Sequence, residues 1–300
     1  MILQPDGEPA ARPAGSPGLF SAPPCGQGAS RTARVFSPVI FGSEFGPSVP
    51  IEYTGGRDLH VVGRIATSPW TVYVPVVPAW NVVLVWWLAF AGAHLVLSSR
   101  ALRPILVRRL GAQAFQGVYS LVVLVLFVLL VRAWWPARHS GPLLWSLAAV
   151  PGVHGLAVAL AFTGIAVVGL SFFQPSPVIP VPGLPTGARG LTRITRHPLF
   201  VGLALWGIAH TLVNGYLADV VFFGGFAIFS LVGGLHQDSR RRAEDGTRLR
   251  AFYDETSVVP FGAILGGRNR LVLREIPVVG VLVGIALAAA LYTFHDRLFG

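Results

Sequence analysis

Six stretches of this chain are apolar enough, and all but one long enough, to lie within a lipid bilayer, and this limits what the chain can fold into. They cover residues 80–98, 115–135, 153–172, 198–213, 217–235 and 276–294. A helix needs roughly 20 apolar residues to cross the hydrocarbon core. Within that core an unbonded backbone N–H or C=O is so costly that a single apolar run must be helical. The third apolar region, 143–173, is too long for one span, and Pro151 with Gly152 divides it into an interfacial piece and a crossing. The fourth run is short for a full crossing, and Asn214, Gly215 and Tyr216 turn it directly into the fifth as a close antiparallel pair. The expected fold is all-α, a polytopic integral membrane helical bundle of about six transmembrane helices. Composition agrees, with 53% hydrophobic and only 12% charged residues.

The charge is arginine alone: 23 basic residues and no lysine, for a formal net charge of +10. Such a bias, with abundant Gly, Pro, Ala and Val, reads as codon usage in a GC-rich bacterial genome. The arginines border the apolar runs. Segments after the first, third and fifth runs hold four, three and eight of them, against at most two after the second and fourth. Six spans bring the three rich segments to one side, which the positive-inside rule makes cytoplasmic, with both termini outside. The predicted location is therefore a bacterial inner membrane, multi-pass. The arginines are read as topology signals and anionic-lipid contacts rather than as a nucleic-acid surface. Cys25 is the only cysteine, which excludes an intrachain disulfide and any Cys-rich zinc or iron–sulfur site.

Residues 1–78 are rich in Gly, Pro and Ser and carry no sustained period, so they are expected to form a disordered or weakly ordered extension. The alternative is a start site assigned too far upstream. No basic n-region precedes an apolar h-region, so no cleaved signal peptide is expected. Residues 79–300 form the membrane domain.

The chemistry centres on residues 195–214, T-R-H-P-L-F-V-G-L-A-L-W-G-I-A-H-T-L-V-N. Arg196 and His197 stand at the mouth of a helix that Pro198 can open without losing a hydrogen bond. His210 lies inside the apolar run, where an ionisable group is costly and marks a functional site. His94 and His154 lie within other runs. His60, His139 and His295 fall in polar or terminal segments and read as solvated, and His236 heads an Arg-rich segment and reads as interfacial. Asp219 is the one acidic candidate inside the runs, fewer acids than a proton relay needs. Neutral imidazoles gathered round a metal or cofactor fit better.

At these residues the chain resembles a known family. R-I-T-R-H-P-L-F-V-G-L-A-L-W-G-I-A-H-T-L-V-N-G, then F-F-G-G-F-A-I-F, D-S-R-R-R and T-S-V-V-P-F-G-A-I-L-G-G-R resemble the NnrU family of bacterial membrane proteins associated with denitrification. That family is similar in sequence to the 15-cis-ζ-carotene isomerases of plants and cyanobacteria. The resemblance implies a b-type haem within the bundle, with His94 and His210 as iron ligands and arginines, Arg196 among the candidates, near its propionates. It also implies a membrane or periplasmic reductase as partner. By depth alone the pairing is different: at 1.5 Å per residue His210 lies about 20 Å from His197 along a helix and His94 about 6 Å from Ser98, a mismatch of roughly 14 Å. Depth would pair His94 with His197 and His210 with His154. The isomerase also has a cysteine three residues before the histidine matching His210, where this chain has Gly207, which favours the NnrU branch.

A second likeness belongs to another chemistry. R-H-P-L-F-V-G resembles the R-H-P-x-Y-x-G of membrane methyltransferases of the isoprenylcysteine carboxyl type, with Phe200 in the tyrosine's place. There the motif and a later acidic pair, here Glu244 and Asp245, imply S-adenosylmethionine as cofactor. An acidic pair among arginines reads equally as a salt-bridged surface.

Overall fold

The structure, a computed structural model, describes residues 51–53, 61–63, 72–73, 78–179 and 183–299. The chain divides into two units, 1–76 and 77–300. In the first unit, β1 (Ile51–Tyr53), β2 (Val61–Gly63) and β3 (Val72–Tyr73) pair antiparallel in that order. The rest of the extension, with His60, lies outside the described residues.

The second unit is helical: α1 (Ala79–Leu97), α2 (Leu102–Leu110), α3 (Ala112–Ala137), α4 (Val153–Ser171), α5 (Leu191–Ile194), α6 (Pro198–Val213), α7 (Leu217–Asp245), α8 (Arg250–Glu255), α9 (Gly262–Leu265) and α10 (Val278–Phe299). Five of these, α1, α3, α4, α7 and α10, are long and apolar enough to cross a membrane. The sixth, α6, has 16 residues, about 24 Å of helix, and forms a hairpin with α7 through the expected turn. The fifth run extends further than its hydropathy indicates. Residues 236–245 are charged, yet they continue α7 because Arg240 and Arg241 reach Glu244 and Asp245 one turn ahead. His236, expected at the head of a loop, is therefore inside a helix.

Small residues set how closely the helices approach. Lipid gives no hydrophobic drive to helix association, so contact depends on close packing and glycines let backbones meet. A Cβ on Gly164 of α4 would lie 2.6 Å from the Gly202 carbonyl of α6, and one on Gly202 would lie 2.7 Å from the Gly164 carbonyl. Gly169 and Gly284 join α4 to α10 in the same way, and Gly207 fits α6 against the Phe223 carbonyl of α7. Helices α1, α3 and α7 instead share an aromatic core. Trp134 stacks on Phe222 at 4.3 Å, Trp87 meets Phe226 edge-on at 5.0 Å, and Trp87 Nε1 donates to the Phe222 carbonyl at 3.1 Å.

Each end of the bundle is held by a polar latch. At the α6–α7 turn, Asp219 is fully buried and accepts hydrogen bonds from Trp134 Nε1 (2.9 Å) and the His139 backbone N–H (3.0 Å), with His139 Nδ1 2.9 Å from the same carboxylate. His139, expected to be merely solvated, pairs with a buried acid. At the other end all three Arg-rich segments meet. Arg103 pairs with Glu244, Arg193 makes a two-point contact with Glu275, and the Arg196 N–H donates to the Ser257 carbonyl.

The Arg193–Glu275 contact has a pH signature. The hydrogen bond from Arg193 holds the Glu275 carboxyl down at about 2, with help from the Gly190 N–H. A carboxyl depressed in the folded state contributes stability that is fully present above its unfolded pKa and is lost as pH falls through the folded one. The latch should therefore loosen between about pH 4.3 and pH 2, and Glu275→Gln should remove that part of the acid dependence. Thermal unfolding in detergent from pH 7 to pH 2 checks this; identical acid slopes in both proteins would refute it.

Candidate functional site

Arg196 and His197 follow α5 and open α6, and the aspartate of the D-S-R-R-R block, to which the sequence assigned no role, completes their site. Asp238, on the charged extension of α7, is 6% exposed and takes Arg196 on one carboxylate oxygen and His197 Nε2 on the other, the latter at 2.9 Å. Arg196 also donates through Nε to Thr256 Oγ1 (2.9 Å) and through Nη2 to the carbonyls of Tyr253 (3.1 Å) and Thr256 (2.9 Å). Four of its five N–H groups are thus used inside the protein. Tyr253 lies against it, and burial, then the Asp238 charge, pushes its phenol up to about 12, so it remains neutral. Arg196 and His197 thereby tie α6, α7 and α8 together, and both head groups are already engaged.

His94, near the end of α1, has ring neighbours Phe229 (5.0 Å), Tyr119 (5.5 Å) and Phe90 (5.9 Å). Its Nδ1 is buried with no hydrogen-bond partner among the described residues. The ring borders a cavity of about 200 Å³ shared with Ser98, Arg103, Tyr119, His236 and Arg240. Ligand sites usually occupy ~300–1,000 Å³, so this one has room for the polar end of a molecule. Ser98 links the two histidines. Its hydroxyl donates to the His94 carbonyl at 2.6 Å, so its oxygen accepts from His236 Nε2 at 3.1 Å, which leaves Nδ1 of a neutral His236 as the lone pair.

His210 lies elsewhere. Its Nδ1 is 2.9 Å from the Trp206 carbonyl, which can only accept, so in the neutral ring Nε2 carries the lone pair. That is the tautomer in which an imidazole binds a metal through Nε2. The ring stacks on Phe223 at 4.6 Å, and its histidine neighbour is His295 of α10, 6.2 Å between centroids. His295, expected to be solvated, is half-exposed beside Asp296. His154 is exposed in the first turn of α4.

The structure therefore does not bring His94 and His210 together. His94 packs on Phe229 and His210 on Phe223, six residues or about 9 Å apart along α7. Ring contacts between them pass through Trp206, Phe226, Trp87 and Phe229. Each histidine singly has donor chemistry suited to haem iron, but the pair does not fit one iron in this arrangement. Among the described residues there is no group of three or more His, Cys, Asp or Glu placed to hold a metal ion. At position 207, where the isomerase likeness puts a cysteine, a Cβ would stand 2.6 Å from the Phe223 carbonyl and 3.0 Å from Phe226 Cβ, so a side chain there needs α6 and α7 to separate.

The chain is 31% identical over 218 residues to "15-cis-zeta-carotene isomerase, chloroplastic" of Arabidopsis thaliana, covering 71% of this chain and 59% of that protein. It is 30% identical over 192 residues to the protein of the same name in Zea mays, covering 63% and 52%. It thus spans less than two thirds of the length of either relative. No solved structure matches it. The profile described as NnrU protein matches residues 82–300, which takes in the spanning helices apart from the first three residues of α1, and both latches but not the small sheet, and the chain belongs to the NnrU family.

Proposed function

We propose that this chain is a haem-binding integral membrane protein serving nitrogen-oxide respiration, set in a bacterial inner membrane with its Arg-rich end in the cytoplasm and acting with a membrane or periplasmic reductase. The observation that carries the reading is His94: an imidazole on an apolar helix, with one ring nitrogen buried and unpartnered among the described residues, on a ring that borders a cavity with a second histidine and two arginines. His94 is the principal iron ligand in this reading, because it borders open space while His210 is packed between Trp206 and Phe223. Bound haem b would supply one-electron redox chemistry or ligand exchange at its iron. The protein's part is to present a neutral imidazole, exclude water with Phe90, Tyr119 and Phe229, and place Arg103 and Arg240 for carboxylates. The visible spectrum of the detergent-purified protein, oxidised and reduced, tests this. A Soret band is expected that His94→Ala abolishes and His210→Ala retains. The reverse pattern would move the ligand to His210, and a colourless protein that haem titration cannot convert would end the reading.

The names of the two plant relatives support a second reading, a haem-dependent isomerase of a polyene. Gly207, with no room for a thiol beside Phe223, weighs against it. Isomer analysis of a ζ-carotene incubated with reduced protein separates the two. A methyltransferase reading has less support, since Arg196 and His197 are committed to Asp238 and Glu244 to three arginines.

A further inference from the structure

The cavity beside His94 is asymmetric in charge. Its polar lining comprises two guanidinium groups, two imidazoles, two amides and two hydroxyls, with no carboxylate. Arg240 is only 6% exposed, and its Nε is buried without a partner while Nη1 holds Glu244 at 3.0 Å. Arg103 reaches the other oxygen of Glu244 at 3.1 Å, and Arg241 reaches Glu244 and Asp245. Three arginines therefore share two carboxylates, which leaves one positive charge at the head of the cavity without a counter-charge among the described residues. A buried guanidinium N–H left without an acceptor is an expensive arrangement, and the same side chain lines the cavity. His94, whose Nδ1 is likewise buried and unpartnered among the described residues, lines the same cavity. Apolar walls from Phe115 and Phe200, with Gly233, complete the lining. The site lies where α1 and α7 pass from apolar to arginine-rich sequence, the level of lipid head groups.

We propose that this cavity binds the oxyanion group of an anionic ligand, a phosphate or a carboxylate, with Arg240 and Arg103 taking the charge and neutral His94 donating a hydrogen bond. Two sources share that chemistry, the head group of an anionic lipid and a free phosphate ion. Binding at one site distinguishes this from the diffuse attraction of anionic lipid to exposed arginines. Haem held as proposed above would take Arg103 and Arg240 for its own carboxylates, so haem and this oxyanion would compete for the cavity.

Native mass spectrometry of the purified protein with phosphatidylglycerol, with phosphatidylcholine and with inorganic phosphate tests it. One phosphatidylglycerol retained in preference to phosphatidylcholine, or one phosphate ion, is expected, and which of the two is retained names the source. Arg240→Gln should weaken that retention about ten-fold, the loss expected for one charge-assisted hydrogen bond. The exposed pair Arg108→Gln with Arg109→Gln, on the same side of the bundle, should leave it unchanged. Should Arg240→Gln fail to fold, Arg103→Gln and His94→Phe carry the same comparison. Equal losses in the exposed pair and the cavity variants, or no retention of either anion over phosphatidylcholine, would overturn the proposal.

Discussion

Asp238→Ala is expected to cost about 3–5 kcal/mol, the loss that follows when one partner of a buried ion pair is removed. Arg196 and His197 are each at most 5% exposed, and alanine would leave both facing a dry gap where a carboxylate had stood. The effect should reach beyond the two side chains. Arg196 also holds the backbone carbonyls of Tyr253 and Thr256, so its displacement releases α8 and the chain that follows from the start of α6. Thermal unfolding in detergent, followed by size-exclusion chromatography, should show a large drop in midpoint or loss of monodisperse protein. The double change Arg196→Met with Asp238→Leu should recover part of the loss, since apolar replacement of a whole buried pair is often neutral. A wild-type midpoint in Asp238→Ala would mean that the latch contributes nothing to stability.

Gly164→Leu should have an effect of similar size for a different reason. The atoms an added Cβ would meet are the Gly202 carbonyl at 2.6 Å and the Trp206 nitrogen at 2.9 Å, both backbone of α6, so no side chain can rotate out of the way. Overpacking usually costs ~1–3 kcal/mol, and here relief requires α4 and α6 to separate. Since α6 carries His210, its stacking on Phe223 should be disturbed as well. Gly155→Leu is the control, on the same helix with nothing within 4 Å, and should leave folding unchanged. Equal behaviour of the two variants would remove the close α4–α6 contact as a determinant of the fold.

The spans were legible in the sequence because apolar content and length are local properties, and bilayer thickness converts them directly into helices. The α6–α7 turn and the gathering of the three Arg-rich segments were also legible, the one from Asn214-Gly215-Tyr216 and the other from the count of arginines. Asp238 was not. It sits in a charged run that reads as loop, and its role depends on α7 continuing past the apolar stretch so that it faces the start of α6. Asp219 was noticed only as an acid, and its partners, Trp134 and His139, are about 80 residues away in sequence.

The histidines mark the boundary between the two kinds of information. Sequence placed His94 and His210 inside apolar helices, Arg196 and His197 at a helix mouth, and the chain in its family by several separated motifs in order. Which groups these residues face was decided by tertiary structure: His94 with a cavity, His236 and two arginines, His210 with His295, and His197 with Asp238. The physical reason is that hydropathy reports only whether a segment lies in the membrane. The partner of each side chain depends on helix rotation, on the close approaches that glycines permit, and on how far α7 extends beyond the bilayer, and these are set only when the helices pack.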